Sequence, residues 1–188
     1  MMGFLAVNAQ RCCQMKKKTS PVEIVTDRFS GIVPAPFGAV GFSVRDGCVS
    51  VLSFLTHNTV EKKVTDSLSR EVSRQLIAYF ADPTIRLDFP VSDPGTDFQK
   101  KVWREMRNIP VGKTRTYGDL AHRLQTAPRA VGGACAVNPL VLYYPCHRIV
   151  AAGGIGGFSG EKEADGVFVR IKRWLLEHEG VLKNEQFR

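Results

Sequence analysis

No stretch of the 188-residue sequence approaches the run of about 20 apolar residues that a membrane-spanning helix needs. The apolar opening, Met1 to Val7, is too short for a signal-peptide core, and its positive charges (Arg11, Lys16, Lys17, Lys18) follow it instead of preceding it. Cysteine is sparse as well. Five residues, odd in number and irregular in spacing, make no disulfide scaffold and fit a reducing compartment in which a free thiol can act as a nucleophile. Repeats and low-complexity segments are missing. These absences exclude a membrane protein, a secreted mini-protein and a disordered chain. The expectation is a globular protein of the cytoplasm, or of the nucleus in a eukaryote, with no membrane partner.

Acidic residues are in deficit, 18 against 26 basic, for a net charge of +8. The excess is localised: residues 97–150 hold nine basic and three acidic side chains, whereas 151–188 hold six of each. A concentrated positive block suits a phosphate-bearing partner, although a solvated basic face has the same composition.

The chain divides at Pro90 to Thr96, rich in Pro and Gly. Before it, residues 1–21 read as a disordered tail and 22–93 as a small α/β domain. Two apolar runs, Phe37 to Val44 and Val49 to Leu55, flank Asp46-Gly47 and predict a hairpin. Leu68, Val72, Leu76 and Tyr79-Phe80 recur at helical spacing, with Asp82-Pro83 as the stop. Ile85, Leu87 and Phe89 alternate as one more strand. After the boundary, 94–188 reads as mainly helical. Phe98, Val102, Trp103 and Met106 share a helix face, Thr116 caps a short helix Tyr117 to Leu124, and Pro128 opens another that stops at Asn138-Pro139. The last two form a candidate helix-turn-helix. Its second helix has one charged residue, Arg129, and Gly132-Gly133 in its middle. Each interior glycine costs about 1 kcal/mol relative to alanine, so something comes close to this backbone: another helix, or the narrow groove of DNA with Arg129 leading. With few polar side chains to read base edges, the helix suits a minor groove.

The run Tyr143-Tyr144-Pro145-Cys146-His147-Arg148-Ile149-Val150 carries the most chemistry. Its apolar flanks read as short buried strands. A cysteine in such a setting is often inert core, but here imidazole and guanidinium groups follow it, and basic neighbours lower a thiol pKa. Zinc would need further ligands, and Cys135 is too distant to supply a regular pair.

With Gly95-Thr96-Asp97-Phe98-Gln99, Arg129-Ala130-Val131-Gly132-Gly133, Asn138-Pro139, Pro145-Cys146-His147-Arg148 and Trp174 to Gly180, the sequence resembles the O6-alkylguanine-DNA alkyltransferase family. The resemblance implies an α+β fold: a ribonuclease-H-like N-terminal domain, then a helix-turn-helix domain bearing the Pro-Cys-His-Arg segment. It implies a flipped guanine whose O6-alkyl group passes irreversibly to Cys146, with His147 as base through a water, Glu179 orienting His147, Tyr117 as proton donor and Asn138 tying the helix pair to the active-site strand. Arg129 fills the gap in the base stack, and Ala130, Gly132, Gly133 and Thr116 join it at the DNA. Phe158, Ser159, Tyr117 and the backbone at Tyr144 and Ile149 form the base pocket. The implied partner is double-stranded DNA containing O6-alkylguanine, contacted by a monomer through the minor groove, with no metal and no cofactor; O4-alkylthymine is a second candidate substrate.

The sequence departs from the family pattern at three places. Tyr117 to Arg129 is short, Val141 stands where a second proline is common, and Glu161 to Val169 is an added stretch expected to loop beside the pocket, its acidic members tuning access. No zinc-ligand set emerges from Cys12, Cys13 and Cys48. Two other functions fit parts of the pattern. A lesion sensor without catalysis would lack the thiol, and a cysteine hydrolase would turn over on esters or amides.

Overall fold

The computed structural model describes residues 28–55, 62, 64–161, 163 and 165–182. The tail 1–21, with Cys12 and Cys13, lies outside them. Three antiparallel strands, β1 (Gly31–Ala35), β2 (Gly38–Arg45) and β3 (Cys48–Leu55), form one sheet in the order β1-β2-β3. Asp46 and Gly47 make the expected tight turn, both at positive φ (49° and 71°), the twist that a two-residue hairpin favours. Strand β1 escapes the sequence pattern because Pro34 interrupts it. The proline is exposed and, among the described residues, pairs only with Ala39 of β2, while Ile32 of the same strand also bridges Lys62 on its other side.

Helix α1 (Ser67–Ala81) starts on an Asp66 side chain that accepts from the Ser69 amide, and it buries Val72, Leu76 and Tyr79. The expected strand at Ile85 to Phe89 does not form. Gln75 on α1 clamps that backbone from the side, donating to the Asp88 carbonyl (2.8 Å) and accepting from its amide (2.6 Å). A side-chain amide thus satisfies the groups a neighbouring strand would have used. The far edge of β3 is covered by coil: Val49 exchanges hydrogen bonds with Pro90 and Ser92, and Leu52 with Pro139 and Val141.

Helix α2 (Asp97–Arg107) opens on a capping box between Thr96 and Gln99 and buries Val102, Trp103 and Met106; Phe98, expected on the same face, stays 36% exposed. Two residues of β4 (Arg115–Thr116) lead into α3 (Tyr117–Arg123), and α4 (Pro128–Ala136) follows. Strand β5 (Ile149–Val150) pairs in parallel with β4, and α5 (Val167–His178) is the last described element. One hydrophobic cluster runs from Val33 and Phe42 through Trp103 and Leu140 to Leu175. Phe37 extends it, its ring edge-on to Phe54, Phe80 and Trp174 at 5.3–5.9 Å, so sheet, α1 and α5 share one seam.

Candidate active site

Cys146 begins a single turn of 3₁₀ helix, Cys146–Arg148, after Pro145. The Cys146 amide donates to Tyr144 O (2.7 Å) and the Arg148 amide to Pro145 O (3.0 Å), which curls the chain between the flanks expected as short strands. Only Ile149–Val150 remains a strand. Cys146 lines an outer cavity, while His147 and Arg148 reach Glu179 at the C-terminal end of α5.

The Glu179 carboxylate is saturated with donors. Oε1 receives Tyr79 Oη (2.9 Å) and Arg148 Nη2 (2.8 Å) and lies 2.9 Å from His147 Nε2; Oε2 receives Arg148 Nε (2.9 Å). Burial alone would raise its pKa, but facing His147 and Arg148 outweigh burial and hold the group well below the usual carboxylate range. Burial pushes His147 below its ordinary value against the opposing pull of Glu179, so the ring is neutral at pH 7. The network then assigns the proton to Nε2, facing the carboxylate, and leaves Nδ1 as an acceptor. Nδ1 is buried and makes no hydrogen bond within the described protein.

The thiol differs from expectation. Cys146 is 4% exposed, and burial pushes its pKa up. A hydrogen bond from Asn138 Nδ2 (3.3 Å) and the charge of Lys172 pull the other way without prevailing. The basic neighbours do not lower it because both are engaged with Glu179. Cys146 therefore rests as a thiol, and its proton must leave during the reaction. Asn138 also donates to Tyr144 O (2.8 Å) and accepts from the Leu140 amide (3.0 Å), bridging the end of α4 to the Cys146 turn.

Lys172 was missed in the sequence. Its side chain is wholly buried; Nζ donates to Ile149 O (2.6 Å) and Gly157 O (3.1 Å) and lies 5.8 Å from the Tyr117 ring centre. Burial pushes it down to about 8. The signal was there: Val169, Lys172 and Leu176 fall on one helical stripe, so this lysine occupies an apolar face. Tyr79 was missed too, read only as a core aromatic of α1.

The cavity in front of Cys146 measures about 570 Å³ and is lined by Tyr117, Arg129, Cys135, Phe158 and Ser159 together with Gly132 and Gly133. Burial raises the Tyr117 pKa, so it stays a phenol, donating to Gly157 O at 3.5 Å. Arg129 is exposed on the first turn of α4. Among the described residues outside α4 itself, a Cβ on Gly132 would approach only Tyr117, at 4.0 Å, and one on Gly133 would meet nothing. Close packing within the protein therefore does not explain either glycine. Ala130 is half-buried beside them, and the Thr116 hydroxyl is occupied in capping α3, accepting from the Asp119 amide (3.0 Å).

Two expected pocket residues sit behind the cavity. Tyr144 stacks on Trp103 (5.7 Å between centroids) and donates to Asp93, and Ile149 is fully buried with its carbonyl on Lys172. Neither lines the cavity: they flank the 3₁₀ turn, and both side chains pack in the core. The added stretch is also not an open loop throughout: Val167–Val169 belong to α5, and the Glu161 carboxylate is taken up by α5 amides. Among the described residues no cluster of His, Cys, Asp or Glu could hold a metal, and no helix is long and apolar enough to cross a membrane.

The family model for the DNA-binding domain of 6-O-methylguanine DNA methyltransferase matches residues 97–181. A methylated-DNA–protein-cysteine methyltransferase of Saccharolobus islandicus is 38% identical over 152 residues, 80% of this chain and 95% of that protein. One from Methanosarcina acetivorans is 42% identical over 114 residues, 59% of this chain and 69% of its own length. The crystal structure of Mycobacterium tuberculosis OGT in complex with DNA superposes with a TM-score of 0.66 at 33% identity, covering 79% of this chain and 90% of that one. The chain belongs to the methylated-DNA–protein-cysteine methyltransferase family.

Proposed function

We propose that this protein repairs DNA by direct reversal, taking the alkyl group of O6-alkylguanine in duplex DNA onto Cys146. The observation that carries the reading is a thiol at the wall of a cavity roomy enough to admit a nucleobase, with a neutral imidazole–carboxylate pair behind it. The sulfur attacks the alkyl carbon; the S–C bond forms as the C–O6 bond breaks. The thiol proton leaves through a water towards His147 Nδ1, and the departing guanine regains a proton at the Tyr117 side. Glu179 stabilises the charged imidazole and holds its tautomer, as in other nucleophile–base–orienter sets. Tyr117, a phenol at neutral pH, supplies the hydrogen bond that strengthens as charge builds on the leaving base. Nothing in the site hydrolyses a thioether, so each chain acts once, without metal or cofactor.

α3 and α4 serve as a helix-turn-helix entering the minor groove, with bare backbone at Gly132 and Gly133, Ala130 beside them, Thr116 at the start of α3, and Arg129 filling the space the flipped base leaves. Phe158 and Ser159 frame that base; Tyr144 and Ile149 contribute through backbone only. Residues 22–93 form a ribonuclease-H-like unit, 94–188 the DNA-binding and acceptor unit, and the protein acts as a monomer. The test is a duplex bearing radiolabelled O6-methylguanine, with O4-methylthymine as a second arm. One label per chain should move to the wild type and none to Cys146→Ala. Label transfer to Cys146→Ala, or repeated turnover, would overturn the assignment.

A further inference from the structure

Ser159 sits in a tight turn closed by reciprocal backbone hydrogen bonds between Phe158 and Glu161, both 2.9 Å. Its two central residues, Ser159 and Gly160, have φ of 51° and 85°. A serine at positive φ is strained and persists only where its surroundings hold it. The last residue of this turn, Glu161, does two things. Its backbone closes the turn, and its carboxylate Oε2 accepts from the amides of Phe168 (2.8 Å) and Val169 (3.2 Å) in the first turn of α5. That helix needs the help: its N-cap is Gly166, which has no side chain to offer. A carboxylate there also meets the positive end of the helix dipole. Gly166 in turn makes room, since a Cβ on it would fall 2.0 Å from Glu161 Cδ. Further along, α5 carries Lys172, which ties Ile149 O and Gly157 O, and it ends at Glu179.

We infer that Glu161 is a positioning residue that latches the Phe158–Glu161 cavity wall to α5, holding Ser159 in register with Cys146. The inference rests on the alkyl-transfer reading of the same cavity. The added stretch Glu161 to Val169 thus fixes the wall where a loose loop would leave Ser159 free to move. Without the latch the turn relaxes towards unstrained φ values and the flipped base loses its frame, while Cys146, held independently by Asn138 and its own 3₁₀ turn, is unaffected.

The experiment compares single-turnover transfer from an O6-methylguanine duplex with alkylation of Cys146 by iodoacetamide, a small electrophile that needs no wall. At saturating duplex, Glu161→Ala should transfer roughly ten- to a hundredfold more slowly, the scale on which small misplacements act. Its iodoacetamide rate should stay within about twofold of wild type, the spread left when positioning of the base is not involved. Glu161→Gln keeps an oxygen acceptor for the two amides and should recover most of the rate. Gly166→Ala, which displaces the carboxylate from the other side, should reproduce the loss. Wild-type transfer by Glu161→Ala would overturn the inference, as would equal loss in both assays or equal loss in Ala and Gln. Failure of the wild type itself to transfer would instead sink the alkyl-transfer reading.

Discussion

Lys172 is wholly buried, and its only hydrogen-bond partners among the described residues are two backbone carbonyls, Ile149 O and Gly157 O. No carboxylate faces it, so burial pushes it from 10.5 down to about 8. A folded-state value below the unfolded one means the unfolded chain binds more protons between the two, so this residue destabilises the fold at neutral pH and the burden lifts as pH rises from 8 towards 10.5. At about 1.36 kcal/mol per unit, the burden at pH 7 is about 3 kcal/mol, and roughly 2.5 kcal/mol of it is gone by pH 10. Lys172→Met removes the charge at similar volume, takes the Lys172 donor from Ile149 O at about 1–3 kcal/mol and leaves Gly157 O with Tyr117, so the net change at pH 7 is small. The slope is diagnostic. Phenols raised by burial, such as Tyr117 and Tyr144, weaken the fold at alkaline pH in both proteins and cancel in the difference, and the thiols that feel the Lys172 charge are removed by comparing the two in a Cys135→Ala, Cys146→Ala background. Urea melts at pH 7, 8, 9 and 10 should therefore show the wild type gaining roughly 2.5 kcal/mol on the variant. Parallel profiles would refute the buried, unpaired ammonium.

Three further outcomes follow from the same geometry. Glu179→Gln leaves the Arg148 guanidinium buried beside a neutral partner and should cost about 3–5 kcal/mol in urea denaturation; a loss below about 1 kcal/mol, the scale of an exposed pair, would mean the pair is solvated. Gly133→Ala should stabilise α4 by up to about 1 kcal/mol yet weaken binding to lesion duplex in fluorescence anisotropy, since nothing among the described residues outside α4 itself lies near the added Cβ; unchanged DNA affinity would show that the glycine serves no partner. Iodoacetamide labelling of Cys146, read by peptide mass, should keep climbing beyond pH 9 because burial holds the thiol above its ordinary value; a plateau below pH 7 would mean a resting thiolate.

The first four helices were legible because their signals are local, whereas α5, whose N-cap Gly166 offers no side chain, was not. Asp66, Thr96 and Thr116 cap the helices they precede, and Pro128 opens α4 as its fixed φ allows. The hairpin was legible from Asp46-Gly47. What escaped depends on contacts distant in sequence. The alternation at Ile85, Leu87 and Phe89 is real burial (Leu87 and Phe89 are core), but no strand pairs with it because Gln75 occupies its backbone. At the site, the tetrapeptide identified Cys146 and His147. It did not tell where the basic side chains point, and that decides the thiol's acidity: a carboxylate 31 residues after Arg148 draws both of them away. Tyr79, one hundred residues before Glu179, had no sequence signal at all for its hydrogen bond.

A buried, protonated nucleophile is a liability for an enzyme that turns over, since every cycle must remove its proton against burial. A protein used once faces a different constraint. Its thiol must survive unreacted among small electrophiles and oxidants until the right carbon arrives, and thiolate character is what those agents attack. Raising the Cys146 pKa by burial beside a neutral, buried imidazole separates the two requirements. Reactivity stays low at rest and rises only when a base fills the cavity and excludes solvent. Lys172 completes the device: its charge favours the thiolate once the proton has left, yet Lys172 and Asn138 together do not overcome burial to create it beforehand. On this view Lys172 trades about 3 kcal/mol of stability for selectivity in when the sulfur reacts.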